Sequence, residues 1–138
     1  MTQIRFENLP TLPANAGYSD LTIAGGFAYV AGKVAADRGD LAKPADIEEE
    51  TQICMDLIGQ TLVLGGMGFR DILKVTIFMK NLGEFDRMNA IYRRYFAPAQ
   101  LPARTTVGVA DIVLGCSIEI ECVACTPRLS RIKQHLAG

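Results

Sequence analysis

Histidine is almost missing from this chain: one imidazole, His135, in 138 residues, and that one close to the C-terminus. Ser-His-Asp and Cys-His catalysis need an imidazole held rigidly beside the nucleophile, and a chain end is a poor place to hold one. Most zinc and non-haem iron sites also draw on histidine, so no metal is expected. An enzyme with this sequence has to work with carboxylate, guanidinium, hydroxyl, thiol, amide and backbone groups. Charge of one sign is lacking too. Fourteen Lys and Arg stand against fifteen Asp and Glu, a formal net charge of -1, which offers neither nucleic acid nor an anionic membrane an electrostatic reason to bind. No apolar run reaches the roughly 18 residues of a membrane span. The opening Met1-Thr2-Gln3-Ile4-Arg5-Phe6-Glu7 lacks the apolar core, about 7–15 residues long, of a secretory signal. A soluble, cytoplasmic protein is the expectation.

What is present describes one compact domain. Hydrophobic residues make up 49% and charged residues 21% of the chain, which argues against disorder, and a chain of this length can bury roughly two thirds of its unfolded surface. With no repeat, linker or low-complexity tract, residues 1–126 read as a single domain and 127–138 as a C-terminal tail. The four cysteines include a C-x-x-C, Cys122-Val123-Ala124-Cys125. That spacing can mark a redox pair or half a zinc site. It falls inside a strand pattern, however, where side chains three apart point to opposite faces. The cysteines therefore read as ordinary core residues, and without a secretory signal no disulfide is expected.

Leu21–Ala24 and Phe27–Ala31 flank Gly25-Gly26, a two-residue hairpin signal. After the polar turn Asp37-Arg38-Gly39-Asp40 and Pro44, the acidic run Asp46 to Glu50 predicts a helix N-terminus. Ile47, Cys54, Leu57, Ile58, Thr61 and Leu62 lie on one helical face, and Gly65-Gly66 close it. Ile72–Met79 is a β-branched, apolar strand, and a second helix is predicted from Glu84 to Phe96. Two final strands, Ala103–Ala110 and Ser117–Thr126, are read as a hairpin turning near Leu114-Gly115. The order β-β-α-β-α-β-β predicts an α+β fold with two helices on one face of a mixed sheet. Val107, Val109, Ile112, Ile118 and Ile120 supply more apolar surface than two helices need, which points to an oligomer.

Three groups of residues can carry chemistry. Phe85, Asn89, Tyr92 and Phe96 form one stripe of the second helix, so Asn89 is an amide on an aromatic face. It is either a structural amide bonded to a loop or a ligand contact. Arg104 and Thr106 share one strand face, and Glu119 and Glu121 share another. Arg104 follows the rigid Leu101-Pro102-Ala103, and Glu119 lies between Ile118 and Ile120. Such neighbours favour partial burial, where charges need partners; in solvent the same groups would form only weak surface pairs. In the predicted hairpin Glu119 stands opposite residue 107 or 108, about 13 Å along the strand from Arg104. A site using both needs substrate between them or a second subunit. Gly65-Gly66-Met67-Gly68 follows a helix and is no phosphate cradle. The tail charges Arg128, Arg131, Lys133 and His135 read as solvated.

Pro102-Ala103-Arg104-Thr105-Thr106-Val107-Gly108-Val109-Ala110, followed by Ile118-Glu119-Ile120-Glu121, resembles the C-terminal signature of the RidA/YjgF family. Val75 to Leu82 and Met88-Asn89-Ala90-Ile91-Tyr92 resemble its central strand and helix, and the resemblance runs from about Ala16 to Ala124. It implies a chorismate-mutase-like α+β fold assembled as a homotrimer with three intersubunit clefts. It also implies a hydrolase of the 2-iminobutanoate/2-iminopropanoate deaminase kind, which converts reactive enamines and imines to 2-keto acids and ammonia without a cofactor. On this likeness Arg104 binds the substrate carboxylate through its planar fork, and Glu119 positions or activates the attacking water. Tyr18, Gly32, Asn89 and Thr106 line the cleft. The chain departs from the family pattern in Thr106 for a cysteine, Ala31 for a serine or threonine, Ala16-Gly17-Tyr18 for Gly-Pro-Tyr, and a longer tail. Two other roles stay open: a deaminase for a bulkier catabolic enamine such as an aminomuconate-like compound, which the small Ala31 permits, and a non-catalytic trimer that binds small carboxylates or a partner protein. RNA cleavage, another role attributed to the family, finds no basic aromatic surface here.

Overall fold

The computed structural model describes residues 3–40 and 42–127. The tail residues Arg128, Arg131, Lys133 and His135 lie outside the described residues. The chain forms β1 (Arg5–Glu7), β2 (Leu21–Ala24), β3 (Phe27–Lys33), α1 (Ile47–Leu64), β4 (Ile72–Met79), α2 (Phe85–Tyr92), β5 (Ala103–Gly108) and β6 (Ile118–Cys125). The expected α+β arrangement, two helices on one face of a mixed sheet, is what these elements build. The first element was not foreseen: β1 is three residues long and mostly exposed, too short for a periodic signal, and it exists because it pairs antiparallel with β2.

The helices begin and end where their chemistry dictates. The Asp46 carboxylate accepts the Glu49 backbone N–H at 2.9 Å, and the acidic first turn Glu48-Glu49-Glu50 complements the helix dipole. Past Leu64 the chain turns at Gly66, whose φ of +73° is unstrained only for glycine. The predicted second helix is shorter than its stripe: α2 stops at Tyr92, and Arg93–Tyr95 tightens into a 3-10 turn. From inside α1, Glu50 accepts the Ser117 backbone N–H at 2.7 Å, fixing the start of β6.

The six strands run in the order β1-β2-β3-β6-β4-β5. This order corrects the expected last hairpin. β5 does not pair with β6; it lies parallel to β4, and β6 pairs antiparallel with β4 on the other side. β4, α2 and β5 form a crossover unit, which is how two parallel neighbours are joined. The 109–117 segment then steps over the end of β4, held by Val109 N–H to the Met79 carbonyl at 2.8 Å and Lys80 N–H to the Ser117 carbonyl at 3.0 Å.

Alternation decides what each face does. Val30, Val75, Ile77, Ile118, Ile120 and Cys122 point toward the helices and are buried with Cys54, Met55, Ile58, Leu62, Met88 and Tyr92. Ile118 and Ile120 are thus consumed by the chain's own core, not left over for a partner. Among the described residues the opposite face carries no helix; there Phe6 is 64%, Tyr29 52% and Val107 37% exposed. Cys122 and Cys125 are both buried and free, on opposite faces as their spacing requires.

The sheet is regular except at one place in β3. Between Val30 and Lys33 the β3–β6 register slips: Val30 pairs with Cys122, but Lys33 with Ile120. Three residues of β3 span two of β6, a β-bulge. The extra residue turns Lys33 to the core side, where it is 1% exposed and forms an ion pair with Asp20. Asp20 also accepts the Leu9 backbone N–H at 2.8 Å and donates its own N–H to Asn8 Oδ1 at 2.9 Å. One buried pair thereby ties the N-terminal segment to the bulge. Asp20→Ala strands a buried ammonium and is expected to cost about 3–5 kcal/mol of unfolding free energy. The double variant Asp20→Leu/Lys33→Met should recover most of that in urea titration, and a double variant no more stable than the single one would contradict this account.

Candidate functional site

The six residues singled out in the sequence fall into two sets. Arg104 and Thr106 sit on β5 opposite Val75 and Ile77, which places them on the helix-covered face. Asn89, one turn inside α2, takes an Arg104 guanidinium N–H on its Oδ1 at 2.6 Å. The guanidinium lies over two rings of the same helical stripe, 4.7 Å from the Tyr92 centroid and 5.4 Å from that of Phe85, within cation–π range. Asn89 is therefore neither an orphan nor a loop staple; it holds an arginine. Arg104 stays half-buried, so part of its fork remains open at the edge of the sheet. The hydroxyls of Thr106 and Tyr92 are shielded from solvent, and neither has a hydrogen-bond partner among the described residues. Burial pushes the Tyr92 phenol up to about 12, against the lowering effect of Arg104. In the sequence Tyr92 stands out only as a member of the aromatic stripe.

Glu119, Gly32 and Tyr18 form the second set. Glu119 is opposite Phe78 on β4, so it points to the face without helices. Gly32 is the bulge residue beside it. A Cβ on Gly32 would lie 2.8 Å from Glu119 Oε2 and 2.9 Å from its Cδ; only glycine leaves the carboxylate where it is. Both line a cavity of about 380 Å³ with Tyr18, Ala31, Val34 and Asp37. Burial, then the charge of Glu121, then that of Asp37 raise the Glu119 pKa above its ordinary 4.5. The Tyr18 phenol is raised by burial first and by Asp37, Asp20 and Glu119 after it.

Asp37 is a residue that the sequence hid. Its carboxylate accepts the Val34 backbone N–H at 2.9 Å, so it shapes the polar turn and faces the cavity at once. The other is Leu114, which in the sequence is only part of a turn. It has φ +59°, the one positive value outside glycine among the described residues, at a cost of about 1–2 kcal/mol. It overhangs the Glu119 cavity and a neighbouring one of about 480 Å³. Two of the cysteines are held as thiols by the core: burial pushes the thiol of Cys122 up to about 12 and that of Cys54 well above its usual value.

The two sets do not meet within one chain. Arg104 and Glu119 are three positions apart in register and separated by β4, roughly 14 Å by strand spacing, and they emerge on opposite faces of the sheet. A β5–β6 hairpin would have held them about as far apart, although β5 and β6 are not in fact paired. What the structure adds is the strand between them and the opposite faces.

The arrangement can be set beside known proteins. The family described as endoribonuclease L-PSP matches residues 9–126. The RutC family protein slr0709 of Synechocystis sp. is 34% identical over 118 residues, covering 83% of this chain and 91% of that protein. The 2-iminobutanoate/2-iminopropanoate deaminase of Rattus norvegicus is 33% identical over 115 residues, covering 81% of this chain and 82% of its own. YyfA of Yersinia pestis, of the conserved Rid protein family, superposes with a TM-score of 0.81 at 32% identity over 89% of this chain and 99% of that one.

Gly32→Ala is expected to displace the Glu119 carboxylate while changing unfolding free energy by no more than about 1 kcal/mol. A crystal structure of the variant and its thermal melt would check this. An unmoved Glu119 would show that the contact is not the reason for glycine.

Proposed function

The chain belongs to the endoribonuclease L-PSP family, also called RidA/YjgF, and on that footing we propose that it hydrolyses reactive 2-imino acids to 2-keto acids and ammonia, in clefts between the subunits of a homotrimer. One observation carries the reading. Arg104 and Glu119 each sit in a prepared half-site, but on opposite faces of one sheet. A second copy is the natural way for one substrate to reach both. The helix-free sheet face, with Phe6, Tyr29 and Val107 exposed, is the surface available for such contact. The named deaminase relative supports the chemical class.

The chemistry suits these groups. Arg104, steadied by Asn89 and two aromatic rings, receives the substrate carboxylate bidentately. The imine carbon is already electrophilic, so orientation and proton movement are the main needs. Glu119 takes a proton from water as the oxygen bonds to that carbon and the C=N π electrons move to nitrogen. Glu119 passes that proton to the nitrogen, which gives the carbinolamine. It then takes the hydroxyl proton as the C=O bond forms and the C–N bond breaks, and hands it to the departing nitrogen, which leaves as ammonia. Thr106, whose hydroxyl has no partner among the described residues, contributes a hydrogen bond to the bound carboxylate. No step calls for a metal or cofactor.

Imino acids generated in situ by a coupled amino-acid enzyme provide the assay. Arg104→Ala removes a bidentate charged contact, and keto-acid release is expected to fall about 100-fold. Co-refolding Arg104→Ala with Glu119→Gln should restore activity to roughly a quarter of the sites, since a cleft fed by two chains is whole when each donates its intact half. No recovery, or a wild-type chain no faster than buffer, would refute the reading. Glu119 must be ionised to accept a proton, so the rate should fall as pH drops through its raised pKa. Glu121→Gln removes a like charge and should move that acid limb to lower pH; an unmoved limb would detach Glu119 from the rate.

A further inference from the structure

The turn joining β5 to β6, Val113–Gly115, holds an apolar side chain in an unfavourable place. Leu114 combines φ +59° and ψ 22°, a left-handed conformation that L side chains with a Cβ rarely adopt. Gly115 follows at φ +68°, so two consecutive residues are left-handed and only one is a glycine. Among the described residues nothing buries the leucine: Leu114 is 79% and Val113 62% exposed. A glycine or asparagine would make the same turn with less strain and no exposed hydrocarbon.

The location of these two side chains gives the reason. Val113 and Leu114 line the Glu119 cavity, and Leu114 also lines the adjoining cavity under the 9–18 segment. Tyr18, Asp37 and Leu114 are common to both cavities, so Leu114 stands where they join. Around that junction the surface is apolar, with Ala31, Val34, Leu9 and Leu12. Among the described residues its ionisable groups include the acids Asp37 and Glu119 and the single cation Lys33, which is buried and already paired with Asp20. A substrate side chain entering here meets hydrocarbon and negative charge, and no free cation among those residues.

We infer that Leu114, with Val113 beside it, is a specificity-determining lip that selects 2-imino acids with branched or extended apolar side chains over the smallest ones and over dicarboxylates. The inference rests on the imine-hydrolysis reading and names the substrate class for it. The carboxylate stays with Arg104, the reacting carbon faces Glu119, and the side chain runs across Leu114 toward the second cavity.

Titration calorimetry on the full chain with three keto acids tests this without requiring turnover: 4-methyl-2-oxopentanoate, 2-oxopropanoate and 2-oxoglutarate. Wild type should bind the first most tightly. In Leu114→Gly the preference for 4-methyl-2-oxopentanoate over 2-oxopropanoate should shrink about ten-fold, the scale on which apolar pockets read hydrocarbon. The melting temperature should hold or rise, because glycine accepts the left-handed turn. Loss of preference together with a lower melting temperature or a dissociated oligomer would mean that Leu114 packs between subunits, and the inference fails. It fails too if wild type shows no preference, if Leu114→Gly keeps it, or if no keto acid binds. Imine hydrolysis measured on the same wild-type sample separates the two readings. Selective binding without hydrolysis refutes the deaminase reading and leaves the lip standing. Hydrolysis without side-chain preference refutes the lip alone.

Discussion

The period of two along a strand governs this molecule. Once α1 and α2 cover one face of the sheet, every strand residue is committed either to the core or to the opposite face. Val75, Ile77, Ile118 and Ile120 go to the core. Their immediate neighbours, Thr76, Phe78 and Glu119, cannot. Arg104 shares the helix side with Val75, its partner in register. Glu119 falls on the other side because Ile118 and Ile120 flank it. The two residues that the proposed reaction pairs are thus divided by the geometry that makes the core.

The bulge in β3 works within that constraint. A single extra residue reverses the alternation, so Lys33 enters the core and has to be neutralised there by Asp20. The same slip brings Gly32 against Glu119 closely enough that a Cβ would collide with the carboxylate. Asp20 in turn anchors the segment that carries Tyr18, through Asn8 and Leu9. An ion pair is a costly way to fill a core position. Its effect is positional, since the N-terminal segment, the bulge and the Glu119 cavity share one anchor.

Much of this was legible without coordinates. Gly25-Gly26, the acidic run from Asp46 and the apolar face of α1 are local signals, and the elements they predict are present. The shared faces of Arg104 with Thr106 and of Glu119 with Glu121 follow from spacing and hold. The β5–β6 pairing did not hold, because strand adjacency is not local: a crossover through α2 let β4 sit between strands that are consecutive in the chain. β1 escaped notice because three mostly exposed residues carry no pattern. Asp37 looked like turn chemistry, and it is; its second role as a cavity wall depends on where β6 lies. Leu114 gave no signal, since an exposed leucine in a turn is ordinary until its φ is known.

Composition and local pattern decided which chemistry this chain has to offer. With one histidine in the whole sequence, it has arginine, glutamate and hydroxyl groups to offer, on two helices and a mixed sheet whose core is written in period. Those properties belong to each residue and its near neighbours, so they survive without coordinates. Only the tertiary structure decided that Arg104 is cradled by Asn89, Phe85 and Tyr92, that Glu119 leans on a bulge glycine, and that the two emerge on opposite faces. Those facts depend on strand order and on a one-residue slip in register. Both are settled by contacts between segments distant in the chain, where no local preference can reach.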